Sequence, residues 1–523
     1  MGRNALILIP ALLLSACGSS SDDSPPPPPE PTDFTISATA SDGGSISPGS
    51  VTVQPGASTT FTVTPNDGFE IDQVSGCQGT LDGSQYTTGA INNDCAVTAN
   101  FTPVQISVSG TVSGLEGELV LMLGSSSQTL SEDGSFEFMV DQYSNVEVTI
   151  SSSPDSQNCT IENGAQKADS NISNITVTCV NKITVAQAIN SVSDPAFKAC
   201  LSESLTEEYA EDVDVIECPQ RGIESLEGIA SFPFIAELSV ESNALTSLDL
   251  SNNTDLVIVD AWSNELNEID TSEAAFLRAL RVHDNNLTGI DLSENGQLES
   301  VNLSQNSLSS VPPDFLAENV GLKELSLNNN QLTEIDVSNN INLTFLHVGA
   351  NVLTGLDVTA NTALRTLYLS NNQVETLDLS NNIALVNLSA STNNITAIDV
   401  SSNTELDELK MGGNNLNTID LSSNTALSTL EMPDNDFVTV DVSSNPSLIV
   451  LDLSENLLAD IDVSNNTSLD TLTLISNNLT DVPLGLTSIS NTEATIDLTA
   501  NNFNSDVQAE LATIKATYIN LVY

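Results

Sequence analysis

The chain has 523 residues, with 70 aspartates and glutamates against 11 lysines and arginines, for a formal net charge of −59. A field of that sign repels nucleic acid and anionic lipid headgroups, so neither is a partner. The length calls for several domains.

The N-terminus carries Arg3 and then an apolar run from Ala5 to Leu14. That run is too short for a bilayer span, which needs about 20 residues, but it suits the core of a signal peptide. It ends in Leu14-Ser15-Ala16-Cys17, which resembles the lipobox of bacterial lipoproteins. The resemblance implies cleavage after residues 1–16, acylation of Cys17 and a stable lipid anchor, the chain's one contact with a membrane. With Gly18 next, it also implies the outer membrane, on its periplasmic side or at the cell surface. Residues 18–33, with five prolines from Pro25 to Pro29, read as a tether. Extended at about 3.1 Å per residue, it reaches roughly 50 Å.

Two strand-rich segments follow. In residues 34–102, alternating runs such as Thr60-Phe61-Thr62-Val63 are broken by Gly43-Gly44, Pro48-Gly49 and Asp67-Gly68 turns. The order Gly43-Gly44-Ser45-Ile46-Ser47-Pro48, Gly68-Phe69, Gly76-Cys77 and Ala99-Asn100-Phe101 resembles the divergent B-repeat of internalin-like surface proteins, which implies a compact β spacer. Residues 103–182, with Asp133-Gly134-Ser135-Phe136-Glu137-Phe138 and Thr176-Val177-Thr178-Cys179, resemble an Ig-like or carboxypeptidase-regulatory-type β-sandwich. Cysteines beyond Cys17 fall two by two into successive segments, which predicts Cys77–Cys95, Cys159–Cys179 and Cys200–Cys218 and an oxidising compartment.

Residues 183–236 read as a cap with the first coil of a solenoid. Asp194 caps a helix begun by Pro195, with Phe197, Leu201 and Leu205 on one face. Cys218 is placed near the position that Asn takes in the later coils. From 237 to 503 one pattern recurs, Leu-x-x-Leu-x-Leu-x-x-Asn-x-Leu-x-x-Ile-Asp-Leu/Val-Ser-x-Asn. Its Asn stands at thirteen positions from Asn243 to Asn501, 21 residues apart except for two steps of 24, Asn306 to Asn330 and Asn477 to Asn501. A fixed period of this size means stacked units that bury their apolar sides against one another. In Leu325-Ser326-Leu327 the leucines alternate with a polar residue, so each unit contributes a short strand to a parallel sheet. The array resembles the short bacterial leucine-rich repeat. That resemblance implies a solenoid with its sheet on the concave face and turns or 3-10 segments on the convex one. Residues 504–523 are expected to close the stack with a helix carrying Val507, Leu511 and Ile514 and a last strand from Tyr518 to Tyr523.

No nucleophile elbow, zinc-binding helix, phosphate loop or EF-hand is present, so no enzymatic activity is expected. The two histidines, His283 and His347, sit three coils apart, about 14 Å at the spacing of parallel strands, too far to share one zinc ion. In the leucine-rich repeat family, the solvent-facing strand positions line the ligand face. Most are Ser, Thr, Asn, Asp or Glu here, but Trp262, Arg281 and His283 form one exception and Phe345, His347, Tyr368 and Lys410 another. Aromatic residues and arginine carry binding energy at interfaces, which makes these seven the candidate contacts. An aspartate also recurs from Asp249 to Asp462. It reads as a turn cap, with calcium bridging between coils at Asp336, Asp357 and Asp378 as the alternative. No other metal or cofactor is expected. The reading is a lipid-anchored, monomeric envelope protein that captures a protein or glycan partner. The alternative is an envelope spacer or scaffold.

Overall fold

The computed structural model describes residues 32–523; the lipobox, Cys17 and almost all of the tether lie outside them. The described residues up to Asn181 form one compact unit and Lys182–Tyr523 a second.

The first unit holds two small β modules. In the first, a sheet of Phe34–Ala40, Ser50–Val53, Cys95–Pro103 and Phe69–Gly76 shares a core with a second sheet built on Thr60–Pro65. The alternation foreseen at Thr60-Phe61-Thr62-Val63 puts Phe61 and Val63 inside, beside Ile36, Val97 and Tyr86. In the second module, Gln105–Ser113 pairs with Gly134–Asp141 and Ile172–Asn181 in one four-stranded sheet, while Leu119–Leu123 and Asn145–Ser152 belong to another. Phe136, Val146 and Ile175 meet between them. Disulfides Cys77–Cys95 and Cys159–Cys179 lie one in each module.

The second unit is a single stack. Fifteen short strands run parallel, from Val215–Glu217 to Leu521–Val522. Thirteen correspond to the Asn positions, and the two caps add one strand at each end. Within a strand such as Thr366–Tyr368, the middle residue is buried and its neighbours face outward, because successive side chains alternate. Leu367 and Leu369 are fully buried, as are their counterparts in the coils around them.

The Asn ladder explains why the period is so strict. The Asn393 side-chain amide donates to the Leu369 carbonyl of the preceding coil at 3.1 Å and to Ala390 of its own coil at 3.0 Å, while its oxygen accepts from the Val374 amide at 3.0 Å. One side chain therefore satisfies three backbone groups that the turn buries away from water. A second ladder, Asn340 to Asn466, is fully buried and donates to two carbonyls per residue, as Asn382 does to Val358 and Asn361 at 2.9 Å each. The residue before each first-ladder Asn adopts a left-handed backbone, including Ala350 at φ 52° and Thr392 at φ 55°. Its amide is held by the next coil, as Thr392 is by Gly412 at 2.6 Å.

The Asp column lies at the turn beyond this ladder. The Asp357 carboxylate accepts from the Thr359 hydroxyl at 2.6 Å and from its amide at 2.9 Å. Asp336, Asp378, Asp399, Asp420, Asp441 and Asp462 each use the serine two residues on in the same way, and these bonds hold every carboxyl below its ordinary value. Each carboxylate serves its own turn. Among the described residues no group of three or more His, Cys, Asp or Glu is placed to hold a metal ion. At Asp336, Asp357 and Asp378, the positions of the calcium alternative, one carboxylate oxygen is taken by these local donors. Because the folded-state values are depressed, the stability these groups contribute is fully present above the unfolded carboxylate value of about 3.9 and is lost as pH falls below it. The melting temperature should therefore hold steady from pH 7 to about 5 and drop below about pH 4, unaltered by calcium or chelator. A chelator-induced fall at pH 7 would refute the turn-cap role.

Four details depart from the expectations. Cys218 aligns with the apolar Val240, not with Asn243, because Ile216 pairs with Leu238. A helix, Val185–Ser191, precedes the expected Pro195–Ser204 and is capped reciprocally by Thr184 and Gln187. The first 24-residue step contains a short helix, Pro313–Glu318, whose Phe315 is buried; Asn319 still reaches the second ladder through Leu292. The last strand is shorter than expected, Leu521–Val522, since Tyr518 turns inward to donate to the Ile489 carbonyl at 2.8 Å.

Candidate binding face of the solenoid

Sheet register decides which outward side chains meet. Asp260, Arg281, Asn302, Ser326, His347, Tyr368, Ser389, Lys410, Glu431 and Asp452 form one column across the strands. Phe345 and Glu408 belong to the neighbouring column, while Trp262 and His283 follow the strand ends. The seven candidates consequently separate into two groups.

In the first group Trp262 and His283 stack nearly parallel, at 5.4 Å and 10°. Arg281 is clamped on both oxygens of Asp260, at 2.8 and 3.0 Å. Burial lowers the His283 basicity, opposed by Asp284 and Asp260 and reinforced by Arg281. Its Nδ1 is buried without a hydrogen-bond partner.

In the second group Phe345 and Tyr368 meet edge to face at 5.9 Å, and His347 meets Tyr368 at 5.4 Å and 84°. Burial alone lowers the His347 basicity. A cavity of about 370 Å³ opens beside these rings, walled by His347, Tyr368, Ser370, Ser389, Glu408 and Lys410. Lys410, two coils from Tyr368, thus reaches the same cavity. Its ammonium contacts Glu408 at 2.5 Å and Glu431 at 3.6 Å, and the Glu408 bond first of all raises its basicity. The two candidate cations, Arg281 and Lys410, are therefore both ion-paired. The sequence reading missed their partners, Asp260 and Glu408. The signal was present in the spacing, since Asp260 precedes Arg281 by one period of 21 residues.

Residues 34–105 match the family described as the divergent InlB B-repeat domain. No curated protein matches the chain. Among solved structures, an internalin (inlF) of Listeria monocytogenes is 21% identical, covering 62% of this chain and 97% of that one with a TM-score of 0.52. The second unit is a leucine-rich-repeat solenoid. Other leucine-rich-repeat structures are also similar: the functional domain of InlJ from Listeria monocytogenes (25% identity, 58% of this chain and 77% of that one, TM-score 0.46) and an LRR protein of Leptospira interrogans (19% identity, 60% and 84%, TM-score 0.46). No helix among the described residues is long and apolar enough to cross a membrane.

Proposed function

We propose that this is a lipid-anchored outer-membrane protein whose leucine-rich solenoid captures a protein partner on its sheet face, with the tether and β modules holding it away from the bilayer. The observation that carries this reading is the aromatic group of Phe345, His347 and Tyr368 beside a cavity, on a face whose other outward positions are mostly Ser, Thr, Asn, Asp or Glu. Half-buried rings beside a cavity match the usual anchor of a protein interface, where a few side chains supply most of the affinity. The scaffold reading rests on a different observation: the rings already pack on one another and both face cations are paired, which an inert surface would also show.

The test is the variant Trp262→Ala, His283→Ala, His347→Ala and Tyr368→Ala, compared with the parent chain in capture of partners crosslinked on living cells. Capture should be lost while the melting temperature changes little, since these side chains lie outside the buried ladders. Undiminished capture would leave the scaffold reading. Protease shaving of intact cells checks the location: loss of the solenoid means the cell surface, and protection until the outer membrane is permeabilised means the periplasmic side.

A further inference from the structure

We infer that the captured partner presents an extended basic segment, a lysine- or arginine-bearing stretch lying across the strands from the Tyr368 cavity toward Asp452. This rests on the reading of the sheet face as a capture surface and names the chemistry it selects. Three observations support it. The cavity joins an aromatic wall, Tyr368 and His347, to the paired Glu408 and Lys410. A cation there would meet an aromatic face and share Glu408 with Lys410, whose ammonium also has Glu431 to turn to. Beyond the cavity the face is one-sided in charge: Lys410 is the one basic residue among the strand and strand-end positions of coils 408–455, against Glu408, Glu431, Asp434, Asp452 and Glu455. Lys410 is moreover shared between two of those carboxylates, so it offers no free charge to an anionic ligand.

The geometry sets the length of the segment. Tyr368 and Asp452 stand in the same column four strands apart, about 19 Å at the spacing of parallel strands. An extended chain covers that distance in about six residues at about 3.3 Å each. An aromatic or apolar residue would seat against Phe345 and Tyr368, and alternate side chains beyond it would carry the positive charges to Glu431, Asp434 and Glu455. Neighbouring carboxylates left without cations repel one another, and binding would relieve that repulsion.

The experiment measures fluorescence anisotropy of a labelled nine-residue peptide, one tyrosine followed by lysines alternating with threonines, against the purified full-length protein. The same peptide with glutamate for lysine and a neutral N-acetylglucosamine hexamer serve as comparison probes. The lysine peptide should bind at least tenfold more tightly than the glutamate peptide. Glu431→Gln, Asp434→Asn and Glu455→Gln together should weaken it at least tenfold. Glu334→Gln, Glu375→Gln and Asp460→Asn, which remove the same charge from exposed positions off the sheet face, should weaken it less than twofold. Circular dichroism melting confirms that each variant is folded. Equal losses from both triple variants would mean that the net charge of the whole chain attracts the peptide, and would overturn the inference. Absence of lysine-peptide binding, with hexamer binding that Tyr368→Ala abolishes, would also overturn it while leaving the capture face intact. Failure of every probe to respond to Tyr368→Ala would bring down both readings.

Discussion

Asn393→Ala destabilises the solenoid by roughly 2–6 kcal/mol, because one buried backbone group loses its sole partner at about 1–3 kcal/mol and two more lose one of two donors at about 0.5–1.5 kcal/mol apiece. The groups are the Leu369 and Ala390 carbonyls and the Val374 amide, held at 3.0 to 3.1 Å. Alanine orphans the Val374 amide, whereas the Leu369 and Ala390 carbonyls keep one donor each, the Asn372 and Asn414 side-chain amides at 2.9 and 3.0 Å. Asn393→Asp should be worse still, since a carboxylate cannot donate to either carbonyl and buries a charge. The control is the next residue. Asn394 is exposed, and its one amide contact, with Gln373 at 3.4 Å, is long, so Asn394→Ala should change stability by no more than about 0.5 kcal/mol. Urea unfolding gives the comparison. Amide exchange adds the location, because a repeat array can open locally and a single transition then understates the loss. Protection should fall first at Thr366–Tyr368, Asn387–Ser389 and Glu408–Lys410. Equal effects at 393 and 394 would show that water reaches the turn and that the ladder is not what sets the period.

The second large effect concerns the N-terminal end. Cys200, on the helix Pro195–Ser204, is bonded to Cys218, which follows the first strand, and both are fully buried. Asp194 reinforces this joint. One of its oxygens accepts from the Ala196 and Phe197 amides and the other from Glu224 and Ser225, which ties the helix to the first coil. The first coil would otherwise show its apolar side to water, so the cap protects every coil behind it. Removing the bridge as Cys200→Ala with Cys218→Ala should cost about 3 kcal/mol, the chain-entropy value for a loop of this length. Exchange should accelerate first at Val215–Glu217 and Glu237–Ser239, with Thr429–Glu431 protected longest. Cys77→Ala with Cys95→Ala, in the first β module, serves as the comparison and should leave the solenoid strands unaffected. Uniform loss of protection along the stack would mean that the array unfolds as one unit and that the bridge has no local role.

These two sites show what is legible in a repeat sequence. Leu367, Leu388 and Leu409 are buried for the same reason in coil after coil. A period of 21 residues with alternation inside each strand admits one way to hide every apolar side chain, so the sequence by itself determined the stack, its thirteen central strands, its internal Asn ladder and the Asp turn caps. Those features depend on neighbours within one coil or on an identical neighbour in the next.

The candidate site does not repeat, and for that reason it was only half legible. Trp262, His283, Phe345, His347 and Tyr368 stood out by residue type, and one period of 21 residues separates Trp262 from His283 and His347 from Tyr368, but the spacing did not give the stacked or edge-on geometry of the rings. Register between coils set that, bringing His347 onto Tyr368 and Lys410 onto Glu431 from strands 21 residues apart. It also paired Arg281 with Asp260 of the preceding coil, while Lys410 finds its nearest partner, Glu408, within its own strand. Tertiary structure likewise overruled local preference at Thr392, whose left-handed backbone is disfavoured for a β-branched residue and is held by its amide donating a hydrogen bond to the Gly412 carbonyl of the following coil. Local periodicity determines which side chains are inside; only the stacking of one coil on the next decides which of the outside ones meet.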